Sequence, residues 1–277
     1  MTKLYQKLVD NLDGKIPASK LDGLPHRYQI IGDVFLFKLL NPGMYRYRKK
    51  IGKAVIEIFP YIRSVLLVKG VKTKKRVPDT EHVAGSKNTL TIHTEHGIKY
   101  CFDPRKIMFS KGNNFEKLCL LKKICKSDTV VDMFAGIGYW SLVVAKKSKK
   151  VYSIDVNSDS IESLEKNCFL NNIDNIEILE GDCRKYSGLL SDTANKVIMG
   201  YFGTKKFFSD GLDIVKSGGI IFYHDLVAVD SVSKLKSELV GIAKKKGIVI
   251  KFLSTRKVKS YKPGFSHHVF YVRVKKY

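Results

Sequence analysis

The 277-residue sequence is 44% hydrophobic and 27% charged, enough for one large domain or two modest ones with a real core. Its 21 glycines and 7 prolines exclude collagen-like and linker-like chains, and no apolar run approaches the ~18–20 residues that cross a bilayer. The 50 Lys and Arg against 26 Asp and Glu leave +24, a balance that favours polyanionic partners, nucleic acid before anionic membrane. The opening Met1-Thr2-Lys3-Leu4-Tyr5-Gln6-Lys7 lacks a signal peptide's apolar centre. Cys101, Cys119, Cys125, Cys168 and Cys183 form neither a C-x-x-C pair nor a Cys/His cluster at zinc spacing. A soluble, cytoplasmic protein with reduced thiols, no metal and no membrane association is expected.

Along the first ~100 residues a short helix, Leu4 to Leu12, precedes brief strand-like runs at 29–31, 33–37, 64–68 and 89–92. Asn41-Pro42-Gly43 and Gly85-Ser86-Lys87-Asn88 punctuate them, and the stretch from Tyr45 to Ile58 suits a helix. This reads as a small α+β domain over 1–102. Basic runs concentrate here: Arg46, Arg48, Lys49, Lys50 and Lys53, then Lys69, Lys72, Lys74, Lys75 and Arg76, with Tyr45 and Tyr47 interleaved. Lys49, Lys50, Lys74 and Lys75 are the candidate RNA contacts; a merely solvated face is the competing explanation.

Over 103–277 the rhythm becomes strand and helix in alternation. Helices are expected at 115–125, 139–147, 158–170 and 231–245, and strands at 129–132, 151–155, 176–180, 196–199 and 220–223. Two terminal strands, 248–253 and 268–274, close the sheet. Such alternation predicts a doubly wound α/β domain with helices on both faces.

The peptide Asp132-Met133-Phe134-Ala135-Gly136-Ile137-Gly138-Tyr139-Trp140 joins the first of these strands to its helix. Gly136 and Gly138 let backbone pass close to a ligand in the crevice at the strand's carboxyl end, beside Phe134. A dinucleotide site calls for a third glycine, absent here, and a pyrophosphate would be repelled by Asp132. A cationic ligand such as S-adenosylmethionine would be attracted. Asp155 ends the next strand, where a carboxylate takes ribose hydroxyls, and Asp182 follows the third, at a place suited to an adenine amino group. Each acid alone is more ordinarily a turn or N-cap residue; three in succession point to the nucleoside. Cys183 has no activating neighbour in sequence, so its backbone rather than its thiol is expected to flank the adenine.

Ile107-Met108-Phe109-Ser110-Lys111-Gly112-Asn113, then Glu116-Lys117, then the Asp132–Gly138 peptide, resemble the archaeal and eukaryotic tRNA guanine-37 N1-methyltransferases and their sisters of wybutosine synthesis. The resemblance covers roughly 28–277 and implies a class I S-adenosylmethionine-dependent Rossmann-like domain preceded by the small α+β domain. After the fourth strand the methyltransferases carry an Asn-Pro-Pro-like motif; here stands Met199-Gly200-Tyr201-Phe202-Gly203-Thr204. That sequence, with Ile221-Phe222-Tyr223-His224-Asp225 and Lys259-Ser260-Tyr261-Lys262-Pro263-Gly264, is similar to the archaeal wybutosine-synthesising aminocarboxypropyltransferases. The resemblance implies transfer of the 3-amino-3-carboxypropyl group of S-adenosylmethionine to C7 of 4-demethylwyosine at position 37 of tRNA(Phe), in the anticodon region. The methyltransferase is the alternative.

Carried over residue by residue, the resemblance adds Ser110 and Lys117 as cofactor contacts. Lys117 would hold the methionine carboxylate, an ordinary helix-surface lysine being the competing reading. His224 and Asp225 are candidates for a base, against a hydrogen-bonded strand-end pair. Tyr201 and Phe202 are candidates for stacking the acceptor base, as proteins hold unpaired bases. Trp140 reads as packing, and no obligate protein partner is evident.

Overall fold

Within each unit, where apolar residues recur decides which elements form. The structure, a computed structural model, describes residues 3–72, 77–109 and 113–277, and the chain divides into two units, Met1–Ser110 and Lys111–Tyr277.

The first unit opens with helix α1 (Lys3–Leu12), whose Leu4, Leu8 and Leu12 share one buried stripe at helical spacing. Strands β1 (Tyr28–Ile31) and β2 (Val34–Phe37) form a tight antiparallel pair. Asn41 caps a 3-10 turn, Pro42–Tyr47, its Oδ1 accepting from Gly43 N. Helix α2 (Arg48–Ile58) then crosses over to β3 (Ser64–Lys72), which pairs parallel to β2. The expected helix from Tyr45 therefore begins at Arg48, because the proline-led turn occupies the preceding residues. Strand β4 (Val77–Gly85) completes the order β1-β2-β3-β4. It was not legible as a strand: Pro78 lacks a donor, which an edge position tolerates, and its polar residues are half-buried. Phe35, Phe37, Val65, Leu67, Ile51 and Val55 pack with the α1 leucines as the unit's core. Strands β5 (Thr91–Glu95) and β6 (Ile98–Phe102) form a separate hairpin. Its two-residue turn places both His96 and Gly97 at positive φ, 52° and 70°, matching the strands' right-handed twist.

The second unit is built on one seven-stranded sheet. Its elements in chain order are α3 (Asn114–Leu121), β7 (Thr129–Asp132), α4 (Ser141–Ala145), β8 (Lys150–Asp155), α5 (Ser158–Leu170), β9 (Ile176–Glu180) and β10 (Ala194–Met199). There follow α6 (Phe208–Ile214), β11 (Val215–Ala228), α7 (Val232–Lys244), β12 (Val249–Lys262) and β13 (Phe265–Lys275). The strand order is β12-β13-β11-β10-β7-β8-β9. The five strands from β11 to β9 run parallel; β13 is antiparallel to β11 and to β12. Strand order reverses between β7 and β10, and open α/β sheets take ligands at such a switch point, outside the carboxyl ends. Val131, Val197, Ile221, Phe270 and Leu239 belong to the main core.

Three strands are longer than their apolar runs suggest. β11 spans Val215–Ala228 rather than 220–223, and the terminal pair forms one hairpin reaching from Val249 to Lys275. The residues added to β12 are mostly polar and basic, and three register shifts along its pairing with β13 break the simple alternation that marks a strand. Among the described residues, no helix is long and apolar enough to cross a membrane, and no cluster of His, Cys, Asp or Glu is arranged to hold a metal.

Candidate active site

At the carboxyl end of β7 the chain turns sharply, with Gly136 and Gly138 at φ 56° and 90°. A Cβ at Gly138 would lie 2.7 Å from the side chains of Leu142 and Leu164, so glycine is required there for close packing as well as for the turn. Neighbouring strands hold the turn: Met133 N donates to Ile198 O (3.0 Å) and Ala135 N to Ile154 O (2.9 Å). From α5, buried Asn167 donates to Ile137 O at 3.0 Å.

Asp132 is fully buried. Its Oδ2 accepts from Ser141 Oγ at 2.8 Å and its Oδ1 from Phe134 N at 3.4 Å. Ser141 occupies the place of a dinucleotide fingerprint's third glycine. Burial raises the Asp132 carboxyl to about 7, the Asp155 carboxylate adding to the effect. Asp155 in turn accepts from Gly136 N at 2.8 Å and from Asn157 N at 2.9 Å, so the end of β8 clasps the glycine turn.

Asp182 follows β9 and caps the 3-10 turn Cys183–Lys185. It accepts from Arg184 N at 3.0 Å and pairs with the Arg184 guanidinium, which draws its carboxyl down to about 2. The N-cap role open to it in sequence is realised. Buried Cys183 has its thiol pushed up to about 12, chiefly by desolvation, so at neutral pH it is protonated and inert.

These residues join an aromatic cluster. The Phe134 ring lies 6.1 Å from Tyr201 and 5.3 Å from Phe207, and Phe207 also receives the Arg184 guanidinium at 5.3 Å. Tyr201 is 40% exposed, so it is no core residue. Phe202 turns elsewhere, edge-on to His267 at 4.8 Å and to Tyr261 at 6.1 Å. The turn carrying them fits closely: a Cβ on Gly200 would lie 2.2 Å from Trp140 Nε1. Trp140 is buried as expected, and its ring also lies 4.9 Å from His224.

His224 and Asp225 are both built into hydrogen bonds. Asp225 accepts from Gly203 N (2.8 Å), Leu226 N (2.8 Å) and Tyr223 OH (2.7 Å). His224 Nδ1 lies 2.9 Å from His267 Nε2, and burial lowers both rings, His267 to about 4. Sequence reasoning missed this pair. Its signal is diagonal pairing: His224 is opposite Val269, two residues from His267, on the same face of the sheet.

Lys117 is only 4% exposed, so the competing reading, a helix-surface lysine, does not hold. Beside it, buried Glu116 accepts from Tyr271 OH at 2.9 Å and pairs with Arg256, fixing α3 to the β12–β13 hairpin. Burial raises the Glu116 carboxyl against both partners.

In the first unit, Lys49 and Lys50 are exposed on α2, although Lys50 Nζ donates to Lys15 O at 2.7 Å. Glu81 of β4 gathers Tyr45 OH (2.6 Å), Arg48 (2.5 Å) and Lys69 (2.8 Å), so part of the basic run is satisfied internally. Lys74, Lys75 and Ser110 lie outside the described residues.

Comparison with known proteins agrees with this geometry. The TRM5/TYW2 methyltransferase domain matches residues 91–251, and the TYW2 N-terminal domain matches 8–89. The chain is 35% identical to the tRNA(Phe) (4-demethylwyosine(37)-C(7)) aminocarboxypropyltransferase of Pyrococcus horikoshii, covering 95% of this chain and 94% of that protein. It is 33% identical to the tRNA (guanine(37)-N(1))-methyltransferase Trm5b of Methanocaldococcus jannaschii, over 95% of this chain and 72% of that one. The crystal structure of P. horikoshii TYW2 in complex with MeSAdo superposes with a TM-score of 0.87 at 33% identity, over 99% of this chain and 100% of that chain. Domain matches over both units and relatives at this identity agree: the chain belongs to the TRM5/TYW2 family.

Proposed function

We propose that this chain transfers the 3-amino-3-carboxypropyl group of S-adenosylmethionine to C7 of 4-demethylwyosine at position 37 of tRNA(Phe), releasing 5′-methylthioadenosine. The observation that carries this reading is the turn after β10. Met199-Gly200-Tyr201 stands where the methyltransferases carry an Asn-Pro-Pro-like motif, and Gly200 seats its backbone against Trp140 with no room for a side chain. The relative in Pyrococcus horikoshii bears the same activity in its name.

The residues present suit a sulfonium nucleoside. Buried Asp132 presents a carboxylate rather than phosphate-binding donors, and Ser141 replaces the glycine a dinucleotide needs. S-adenosylmethionine supplies the electrophile when bound, since its sulfonium activates the methyl, the ribose methylene and the methionine γ-methylene. The protein's task is orientation: whichever carbon stands in line with the nucleophile, ~3–3.5 Å away, reacts. In this reading Asp155 takes the ribose hydroxyls, while Asp182 and the backbone of Cys183 flank the adenine. Phe134 and Gly136 line the pocket, Lys117 holds the methionine carboxylate, and Ser110 is carried as a further cofactor contact from the family resemblance. Tyr201, half-exposed beside Phe134, stacks the acceptor base.

His224 and Asp225 are assigned to holding the loop rather than to proton transfer, because the bonds described above already engage both. The anticodon region of the tRNA is the partner surface. The cytoplasm is the proposed compartment, which five cysteines outside any disulfide suit. Mass spectrometry of position 37, after incubation with S-adenosylmethionine and tRNA bearing either guanosine or demethylwyosine, tests the reading. Modification of demethylwyosine alone is expected; methylated guanosine would replace the reading with the methyltransferase.

A further inference from the structure

The β12–β13 hairpin reaches further than closing the sheet requires. Met199, the last residue of β10, pairs with Tyr223, and β11 continues from His224 to Ala228. β13 follows it outward, Asp225 against His268 and Ala228 against Phe265, and β12 follows in turn, Lys257 against His268 and Lys262 against Phe265. At about 3.3 Å per residue, the ribbon extends ~16 Å past the carboxyl end of β10. Because β7, β8 and β10 are parallel, this is the edge of the sheet that carries Asp132 and Asp155.

The composition of this ribbon is one-sided. Between Val249 and Lys275 the hairpin carries seven Lys and Arg and no acidic residue. At the tip Lys257 and Lys262 are exposed, with Tyr261 48% and Phe265 36% exposed, and Lys262 Nζ sits 4.3 Å over the Phe265 ring. Lysines alone would be ordinary protection of an edge strand against pairing. Exposed aromatics serve no such purpose; aromatic faces interleaved with cations are what unpaired nucleic acid binds. Phe202 places the tip beside the acceptor side of the site, since its ring touches both Tyr261 and His267 from the loop that follows Met199.

We infer that the tip of the β12–β13 hairpin is a contact for single-stranded RNA at the mouth of the site, with Lys257 and Lys262 on backbone phosphates and Tyr261 stacked on an unpaired base. The inference rests on the tRNA reading above and adds to it a surface in the second unit, separate from the α2 lysines. It is tested with the full chain and a fluorescently labelled tRNA(Phe) transcript, by anisotropy over a series of salt concentrations. The double variant Lys257→Glu/Lys262→Glu is expected to bind at least about tenfold more weakly, with a log–log salt slope shallower by roughly 1.5. Tyr261→Ala is expected to lose about tenfold with its slope unchanged. Both variants should retain wild-type S-adenosylmethionine affinity, which shows that they fold. Wild-type affinity and slope in both variants would overturn the inference while leaving the tRNA reading standing. A wild-type chain that fails to bind the transcript at any salt concentration would overturn both.

Discussion

His224 Nδ1 and His267 Nε2 face each other at 2.9 Å inside the sheet, one on β11 and one on β13, both rings buried. One nitrogen of the pair carries the shared proton, so a second proton would place a charge with no carboxylate against it. Burial is the main cause of both depressed pKa values, and neighbouring Lys259 adds to that of His267.

The sign of the resulting pH dependence follows. Between about 4 and the unfolded value of ~6.5, the unfolded chain binds protons that the folded rings refuse, so stability falls as pH falls through that window. Lowering His267 to about 4 corresponds to roughly 3 kcal/mol at the acid end. Asp132, raised to about 7, works in the opposite direction over an overlapping range, so the net slope is a difference. Two measurements separate them. Imidazole NMR at about pH 5 should find at least two of the seven histidines still neutral, and His267→Asn should unfold with a shallower acid dependence than wild type. Seven rings titrating near 6.5 would contradict the buried pair.

In the proposed site Asp132 should set the pH dependence of cofactor affinity. A cation prefers the ionised carboxylate, so below about 7 a proton must leave as the ligand binds. Affinity for S-adenosylmethionine should rise between about pH 5.5 and 7, up to about tenfold per unit, below the range of the ligand's own α-amino group at ~7.8. Uncharged 5′-methylthioadenosine should show a much flatter profile, and Asp132→Asn should flatten both. Calorimetry across that range checks this; a flat wild-type profile contradicts it.

Asp155 accepts from the glycine turn at the end of β8, and in the proposed site it also takes the ribose hydroxyls. Asp155→Ala should weaken S-adenosylmethionine binding by about 1.5–3 kcal/mol for each ribose bond lost, roughly 10- to 150-fold. Affinity unchanged within error would remove Asp155 from the site.

The basic runs of the first unit make a separate claim on RNA. Reversing Lys49, Lys50, Lys74 and Lys75 to Glu should weaken tRNA binding and flatten its salt dependence, leaving cofactor affinity intact. An unaltered salt slope would make these runs solvated surface only.

What the sequence revealed of this protein was local. Helix α5 and strand β9 stand at the bounds read from their apolar spacing, and the positions of Asp132 and Asp155 at strand ends, and of Gly136 and Asp182 in the turns that follow, were legible. β4 was hidden by Pro78 and its polar residues, and the outer half of β12 by its lysines and register shifts. The unread contacts of the site join residues far apart in the chain. Glu116 meets Arg256 and Tyr271 across 140 and 155 residues, and His224 meets His267 across 43, because the sheet order brings them together. No periodicity encodes such meetings. The depth of Lys117 was missed for the same reason.

The most direct measurement follows the label. Because Met199-Gly200-Tyr201 replaces the Asn-Pro-Pro-like motif, the γ-methylene rather than the methyl is expected to face the acceptor base. S-adenosylmethionine labelled in its aminocarboxypropyl group should label demethylwyosine-containing tRNA, and a methyl label should leave on 5′-methylthioadenosine. Methyl label in the tRNA, with adenosylhomocysteine as by-product, would contradict the account.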